Sequence, residues 1–283
     1  MNHLTPNGCN RLMNEKTLHP LISVIDLSKQ TQNVSFKVDS YAVVLRHYPA
    51  GSTPEGRQSC DFTEATLFFH APDRPIDLSA HPVSGAGGRM LIFHPSLFCG
   101  LLLAKELRYF TYFKYKTTEA LHLSACELRT VERCLDHIES ELEWGVDRFS
   151  ASLLSELIAT LLRYCQRYYE RQFVLRHESS LPLLQVITRQ IDHYILSGSI
   201  PKAGQPCACH FAKRQGWSSA YLNDFLKHET GSDFVEYFRL RRVELARQMR
   251  LEHTHKDAYI AHLLGFGSVA MLQRACPVGP VGH

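Results

Sequence analysis

The chain has 283 residues, a hydrophobic fraction of 45% and a formal net charge of +3 at pH 7. This length suits two domains of ordinary size, and the apolar content is enough for real cores, which excludes a disordered or fibrous protein. No apolar run approaches the roughly 18 residues of a membrane helix, and the N-terminus lacks the apolar centre of a signal peptide. We therefore expect a globular, cytoplasmic protein with no membrane partner.

The first predicted segments are a flexible N-terminus over residues 1–20 and a β-rich domain over residues 21–123. Four short apolar runs, at 21–27, 41–48, 65–72 and 87–95, are separated by Gly and Pro residues. Such runs indicate an antiparallel sheet or a small barrel. The mouth of a small barrel commonly holds a small ligand. The polar candidates for that site are His47, Arg57, His70 and Arg74, with exposed loop or satisfied core residues as the alternative.

Residues 124–175 predict a pair of amphipathic helices. Ser124-Ala-Cys-Glu127 has the form of a capping box and starts a helix that reaches Trp144. A second helix over residues 150–173 carries an apolar stripe of Leu153, Leu154, Leu157, Ile158, Leu161 and Leu162. The stripe predicts either a homodimer contact or burial against the sheet. Residues 176–182 are expected to be a linker to a C-terminal domain over residues 183–283.

The C-terminal domain contains one local pattern twice. Gly216-Trp217-Ser218 leads into Leu222, and Gly265-Phe266-Gly267-Ser268 leads into Leu272, with Ala212 or Ala261 four residues before each glycine. Each copy predicts a short helix, a glycine with positive φ, an aromatic residue, a serine N-cap and a second helix. The sequence therefore predicts a duplicated helix-turn-helix.

The second helix of each copy corresponds to a recognition helix and is called its reading helix here. The first reading helix is predicted to run from the N-cap Ser218 to about Thr230, and Gly231 ends it. Burial of Leu222, Phe225 and Leu226 turns outward the base-contact candidates Ser219, Ala220, Asn223 and Asp224, while Ser218 and Lys227 are phosphate candidates. An exposed Asn can bond adenine bidentately, which makes Asn223 the strongest base-reading candidate, and Asp can accept from cytosine. The alternative for Asp224 is an intramolecular partner such as Lys227 or His228.

A connecting helix is predicted from Asp233 to about Met249. It is expected to display five arginines, of which Arg239 and Arg242 are the phosphate-contact candidates: Arg239, Arg241, Arg242, Arg247 and Arg250. Phosphate contacts would provide affinity and salt dependence without reading sequence. The alternative is an ordinary solvated helix face.

The second reading helix is expected to be short, because Pro277 and Pro280 follow it closely and stop a helix. Ser268 is its N-cap and phosphate candidate, and its base-contact candidates are Val269, Ala270, Gln273 and Arg274. A helix this short can hardly bury Met271, Leu272 and Phe266 together. We expect this half to be loose until DNA holds it.

Charge and cysteine content complete the sequence picture. Residues 201–283 hold 11 Lys and Arg against 7 Asp and Glu, whereas residues 1–200 hold 20 against 21, so the basic excess lies where a phosphate-binding module is predicted. Nine scattered cysteines without C-x-x-C spacing favour reduced thiols. The run 207–210, Cys-Ala-Cys-His, lacks a second ligand cluster, so we expect no metal and no cofactor.

These motifs together resemble the AraC/XylS family of bacterial transcriptional regulators. Residues 217–249 and 260–275 resemble its two DNA-reading units, and residues 89–123 look like the sensor half of a subgroup common in gut-type Bacteroidetes. The resemblance implies an α+β multidomain protein with a cupin-like (jelly-roll) sensor, a ligand-responsive homodimer and binding to double-stranded DNA, with RNA polymerase as a further partner. Positions 220, 223 and 224 match family positions that reach base edges.

The second unit departs from the family, which continues with a basic-aromatic stretch, a glycine turn and a closing helix. The leading prediction is a sequence-specific transcription regulator and not an enzyme. The alternative is a small-molecule-binding protein whose incomplete DNA-binding half is not productive.

Overall fold

The computed structural model describes residues 3–28, 34–48, 56–78, 87–253 and 255–277. The chain forms two compact units, Met1–Arg176 and His177–His283. The N-terminal unit combines sheets with helices and the C-terminal unit is helical, as the sequence predicts. In the described ranges, no helix is both long and apolar enough to span a bilayer.

The strands of the N-terminal unit form two sheets. The described strands are β1 His3–Leu4, β2 Ile22–Asp26, β3 Ser35–Val38, β4 Tyr41–His47, β5 Ala65–His70, β6 Pro75–Asp77, β7 Gly88–Phe93 and β8 Leu121–Leu123. The larger sheet has the order β2-β7-β4-β5-β8 and is antiparallel throughout, and the smaller has the order β1-β3-β6. The four apolar runs of the sequence are the adjacent strands β2, β7, β4 and β5, so that prediction is confirmed.

The N-terminal segment forms a strand and a helix. The prediction that residues 1–20 are flexible is therefore wrong for the described residues 3–20. Helix α1, Pro6–Leu12, starts at Thr5, whose hydroxyl accepts a hydrogen bond from Gly8 N at 3.2 Å. Cys9 and Met13 are buried in the hydrophobic cluster that lies between the sheets. The sequence pattern missed this contribution because the few apolar residues are dispersed among polar ones.

Several short helical segments lie between β7 and β8 in the chain. They are α2 Leu102–Glu106 and 3-10 turns at Pro95–Phe98, Leu107–Tyr109, Thr111–Lys114 and Thr117–Glu119. Helix α3, Ala125–Glu143, begins with the predicted capping box: Glu127 N donates to Ser124 Oγ at 3.3 Å and Ser124 N donates to Glu127 Oε2 at 2.9 Å.

Helix α4, Ser150–Leu196, begins where predicted but continues through residues 176–182. The segment predicted to be a linker is helical, and the boundary between the two units, after Arg176, lies at its start. Buried Ile187, Ile191 and Ile195 extend the helical periodicity beyond it. Pro182 lies inside the helix.

The apolar stripe of α4 is buried largely within the N-terminal unit. Leu154, Ile158, Leu161 and Leu162 are almost fully buried, whereas Leu153 is 48% exposed. The main-chain oxygen of Leu162 accepts a hydrogen bond from Tyr112 Oη at 2.8 Å, and aromatic contacts continue to the sheet. Burial against the sheet therefore accounts for most of the stripe, and dimerisation stays a prediction.

The C-terminal unit contains the end of α4 and six further helices in the described ranges. They are α5 Ser199–Ala203, α6 Ala208–Arg214, α7 Ser219–Thr230, α8 Phe234–Leu251, α9 Asp257–Leu263 and α10 Val269–Ala275. Helices α6 and α7 form the first helix pair, α9 and α10 form the second, and α8 connects them. The first pair has an aromatic core that includes Phe211, Phe225, Phe234 and Phe238.

Candidate nucleic-acid interface

Both helix pairs turn through a glycine in the left-handed region. The φ angle is 74° at Gly216 and 70° at Gly265, a conformation that is strained for residues with a Cβ atom. Equivalent backbone hydrogen bonds close the turns: Trp217 N to Ala212 O at 2.9 Å, and Phe266 N to Ala261 O at 2.8 Å. The duplicated helix-turn-helix predicted from the sequence is present.

The next helix of each pair starts at a serine cap. Ser218 Oγ accepts from Tyr221 N at 3.1 Å, and Ser268 Oγ accepts from Met271 N at 3.2 Å. In the second copy an additional residue, Gly267, separates the aromatic residue from the cap. The two copies thus share their turn but enter their reading helices differently.

The two turn glycines differ in the space around them. A Cβ atom on Gly216 would meet nothing within 4 Å, whereas one on Gly265 would lie 2.2 Å from Ile200 Cγ2. Conformation alone requires glycine at the first turn. Conformation and packing both require it at the second.

Helix α7 matches the predicted first reading helix. It ends at Gly231, with φ of 75°, and Leu222, Phe225 and Leu226 are buried. The aromatic residue at the turn, Trp217, packs against Phe225 at 5.0 Å between ring centroids. The helix therefore has a fixed inner face, and Lys227 on its outer side is exposed.

Asn223 is held by two intramolecular hydrogen bonds. Its Nδ2 donates to Ser219 O at 3.0 Å, and its Oδ1 accepts from Phe234 N at 3.1 Å. Phe234 N is one of the initial amides that α8 cannot satisfy internally, so Asn223 joins Asp233 in capping that helix. A contact between Asn223 and adenine would have to replace these bonds, and its base-reading role stays a prediction.

The other α7 base candidates, Ser219, Ala220 and Asp224, are half-buried. On α10, Ala270, Gln273 and Arg274 are exposed and Val269 is half-buried. Gln273 Nε2 lies 3.5 Å from Asp257 Oδ2, within the second pair.

Arg242 is buried, and the prediction that α8 displays it for phosphate is wrong. Its Nε donates to Leu264 O at 2.8 Å and its Nη2 donates to Gly265 O at 2.7 Å. The guanidinium also lies over the Phe266 ring, 4.7 Å from the centroid, and burial lowers its pKa. The donors that a phosphate would need are thus used to hold the second turn.

The remaining arginines of α8 are all paired with carboxylates. The pairs are Arg239 with Glu236 at 2.5 Å, Arg241 with Asp192 at 2.7 Å, Arg247 with Glu244 at 3.9 Å and Arg250 with Asp257 at 2.6 Å. Arg239 and Glu236 are both exposed, and such pairs contribute little and exchange readily. Arg239 therefore stays available as a phosphate contact, whereas the display of all five arginines expected from the sequence is wrong.

Four exposed cations on the two helix pairs have no carboxylate within 4.0 Å among the described residues: Lys213 and Arg214 on α6, Lys227 on α7 and Arg274 on α10. Lys227 and Arg274 are among the contacts predicted from the sequence, whereas Lys213 and Arg214 are not. Two adjacent basic residues just before the turn glycine were the available signal. In helix-turn-helix proteins the first helix crosses the phosphate backbone, and α6 is the first helix of its pair.

Helix α10 buries little of its apolar surface. Leu272 is fully buried but Met271 is 56% exposed, and Phe266 is half-buried. This confirms that seven residues do not bury the three apolar side chains together. Cys276, the residue directly after α10, is held by two polar contacts: Arg250 Nη1 donates to Cys276 O at 2.5 Å, and Cys276 Sγ donates to Val243 O at 3.4 Å.

The cysteines differ from expectation at one place. Cys207 and Cys209 are joined in a disulfide at the start of α6, so the expectation of reduced thiols is wrong for this pair. The other seven cysteines are free thiols. Within the ranges described, no group of three or more His, Cys, Asp or Glu residues is arranged to hold a metal ion.

The predicted ligand residues of the N-terminal unit do not form one site. In the β4–β5 ladder His47 pairs with Ala65 and His70 pairs with Ala42, which places the two histidines at opposite ends, about 17 Å apart. His47 Nε2 lies 3.6 Å from a Glu132 carboxylate oxygen.

His70 and Arg74 are close enough to interact, whereas Arg57 acts on the pKa of His122 instead. Burial lowers the pKa of His70 to about 4, with a smaller contribution from the charge of Arg74. Arg74 Nη1 donates to Tyr115 O at 3.0 Å, and Arg57 is half-buried. His70 is therefore a neutral core residue at pH 7.

A buried ionic cluster in the N-terminal unit was not predicted. Arg176 makes two hydrogen bonds to the Asp61 carboxylate, at 2.9 and 2.5 Å, and both side chains are nearly inaccessible. His122 Nδ1 lies 3.1 Å from Thr66 Oγ1, and burial lowers the pKa of His122 to about 4 despite Asp61 nearby. Asp61, His122 and Arg176 are up to 115 residues apart in the sequence, so no local pattern could reveal them.

Comparisons with known proteins give no family assignment. No family model and no curated protein matches the chain. A 1.65 Å structure of ToxT from Vibrio cholerae is 9% identical, with a TM-score of 0.26, over 92% of this chain and 95% of that chain. Unsaturated-fatty-acid-bound wild-type ToxT from Vibrio cholerae strain SCE256 is 10% identical, with a TM-score of 0.28, over 92% of each chain. Likenesses of this size carry no conclusion about function.

Proposed function

We propose that this protein is a sequence-specific transcription regulator that binds double-stranded DNA through its two helix pairs. The observation that carries the proposal is the repeated geometry: two turns with the same closing hydrogen bond, each followed by a serine-capped helix. This is the arrangement with which helix-turn-helix proteins place a reading helix in the major groove. No enzymatic role is proposed.

The length of α8 suits two contacts with one face of a duplex. Its 18 residues span about 27 Å, which is comparable with the roughly 34 Å between successive turns of the major groove. The proposed base contacts are Ser219, Ala220, Asn223 and Asp224 on α7, and Val269, Ala270, Gln273 and Arg274 on α10. The proposed phosphate contacts are Ser218, Lys227, Arg239 and Ser268, together with Lys213 and Arg214.

Binding to genomic fragments at a series of salt concentrations tests this function. We expect selected fragments to bind with log K falling linearly against log salt, by about 0.9 for each phosphate contact. Lys213→Gln with Arg214→Gln should reduce the slope by about 1.8. Arg247→Gln is the matched control, because Arg247 is equally exposed in the same unit but is not a proposed contact.

Affinity that does not change with salt would contradict the phosphate model. Equal binding to every fragment would contradict the proposed sequence specificity. That second result would favour the alternative of a small-molecule-binding protein whose DNA-binding half is not productive, for which the seven-residue α10 is the supporting observation.

We further propose that the N-terminal unit is a cupin-like sensor for a small-molecule effector and that the protein is a homodimer, with RNA polymerase as a further partner. An exposed apolar surface where α3 ends and α4 begins supports the dimer: Trp144 is 87% exposed, and Val146, Phe149 and Leu153 are also exposed. Sedimentation of Trp144→Ser with Phe149→Ser should give a monomer if this surface is the contact. An unchanged dimer would place the contact elsewhere.

A further inference from the structure

Besides the hydrogen bond from Cys276 to Val243, two arginine side chains attach the second helix pair to α8. Arg242 reaches the turn, where it donates to the carbonyl oxygens of Leu264 and Gly265. Arg250 reaches both ends of the pair. Its Nε and Nη2 bind the Asp257 carboxylate at the start of α9, at 2.9 and 2.6 Å, and its Nη1 donates to Cys276 O just after α10.

The first pair needs no such attachment. Helix α7 is followed after Gly231, Ser232 and Asp233 by α8 itself, and Asn223 bonds to the first turn of that helix. Its inner face also buries four side chains, whereas α10 buries Leu272 alone. The place of α10 therefore depends on polar contacts to a much greater degree than the place of α7.

We propose that Arg242 and Arg250 are positioning residues that set where α10 lies relative to α7, and thereby the spacing of the two DNA half-sites. The inference rests on the proposed DNA-binding function. Each guanidinium serves two separate acceptors, which its planar fork of donors allows. The lysine side chain is shorter and its donors all leave one nitrogen, whereas each arginine uses different nitrogens for its acceptors, so we expect Arg242→Lys and Arg250→Lys to keep the charge but lose one of the two contacts.

The test begins with a DNA site selected by the wild-type protein from random sequence. Footprinting should show two protected half-sites. In Arg242→Lys and Arg250→Lys we expect protection to be lost at the half-site read by α10 and kept at the one read by α7. Affinity for the full site should fall at least about tenfold. Changing the half-site spacing by one base pair should reduce the affinity of these variants less than it reduces the affinity of the wild type. Arg247→Lys is the matched control and should keep both half-sites.

A second measurement needs no DNA. Amide hydrogen exchange in residues 257–276 should become faster in both variants, while exchange in residues 219–231 stays unchanged. Equal loss at both half-sites, or unchanged footprint, spacing preference and exchange, would overturn the inference. A wild-type protein that selects no site would instead refute the proposed function, and the exchange data would still show whether the arginines hold the pair.

Discussion

The two helix pairs of the C-terminal unit share a turn but are held in place differently. The first has a reading helix of 12 residues that buries four side chains. The second has one of seven residues that buries Leu272, and hydrogen bonds from Arg242, Arg250 and Cys276 join its pair to α8. A repeated local sequence therefore reproduces the turn without reproducing its stability. Helix length and distant partners determine how firmly each copy is fixed.

Substituting the turn glycines should give the largest difference in stability between the two helix pairs. Gly265→Ala is expected to lower the free energy of unfolding by about 3 kcal/mol, because it adds a steric clash with Ile200 to the strain of positive φ. Gly216→Ala has only the strain, which costs about 1 kcal/mol. Urea unfolding of both variants measures the difference. Equal losses would mean that the second turn relaxes around the new methyl group.

A smaller difference is expected between Asn223 and Gln273, which are base-contact candidates on α7 and α10. Asn223→Ala should cost about 1 to 2 kcal/mol of stability, because it removes a cap from α8. Gln273→Ala should cost less than about 0.5 kcal/mol, because its side chain is exposed. Thermal unfolding checks both values.

DNA selection with the same two variants then tests whether Asn223 and Gln273 contact bases. A changed preference at one base position identifies a base contact, at a cost of about 1 to 3 kcal/mol in binding. Uniform weakening on all sequences after Asn223→Ala would restrict that residue to its structural role.

Acid should release the second pair before the first, although the effect is the smallest of the series. Hydrogen bonds from Arg250 lower the pKa of Asp257 below its ordinary 3.8. The ion pair therefore contributes stability that is present above pH 3.8 and is lost as the pH falls through the folded-state pKa. Partial exposure limits the contribution to below about 1 kcal/mol.

Hydrogen exchange in residues 257–276 across this range measures the effect, with Asp257→Asn as the comparison. The wild type should approach the variant as acid is added. A constant difference down to pH 2 would assign the stability of this pair to other contacts.

Local signals predicted the parts of the fold that local chemistry determines. The capping box at Ser124 and Glu127, the cap at Ser218 and the glycine at 231 each act within one helical turn, so the sequence contains the whole interaction. The strands β2, β4, β5 and β7 were equally readable, since each is a compact apolar run between turns.

Long-range partners were not predictable. The sequence places Arg242 on a basic helix face, but its side chain is buried and donates to carbonyl oxygens 22 and 23 residues further along the chain. Asn223 looked free to meet a base, yet its partner is an amide of the next helix. The continuity of α4 through residues 176–182 likewise depends on burial of both flanks, which overrides weak local helix propensity.

The pairing of the α8 arginines also bears on how quickly this protein would find DNA. A charge with an opposite charge a few ångströms away produces little field beyond the Debye length of about 8 Å, whereas isolated charges attract a polyanion at a distance. Encounter would therefore be guided by the cations on α6, α7 and α10 rather than by the most arginine-rich helix. Neutralising Lys213 and Arg214 should slow association, whereas neutralising Arg241 together with its partner Asp192 should leave the association rate almost unchanged.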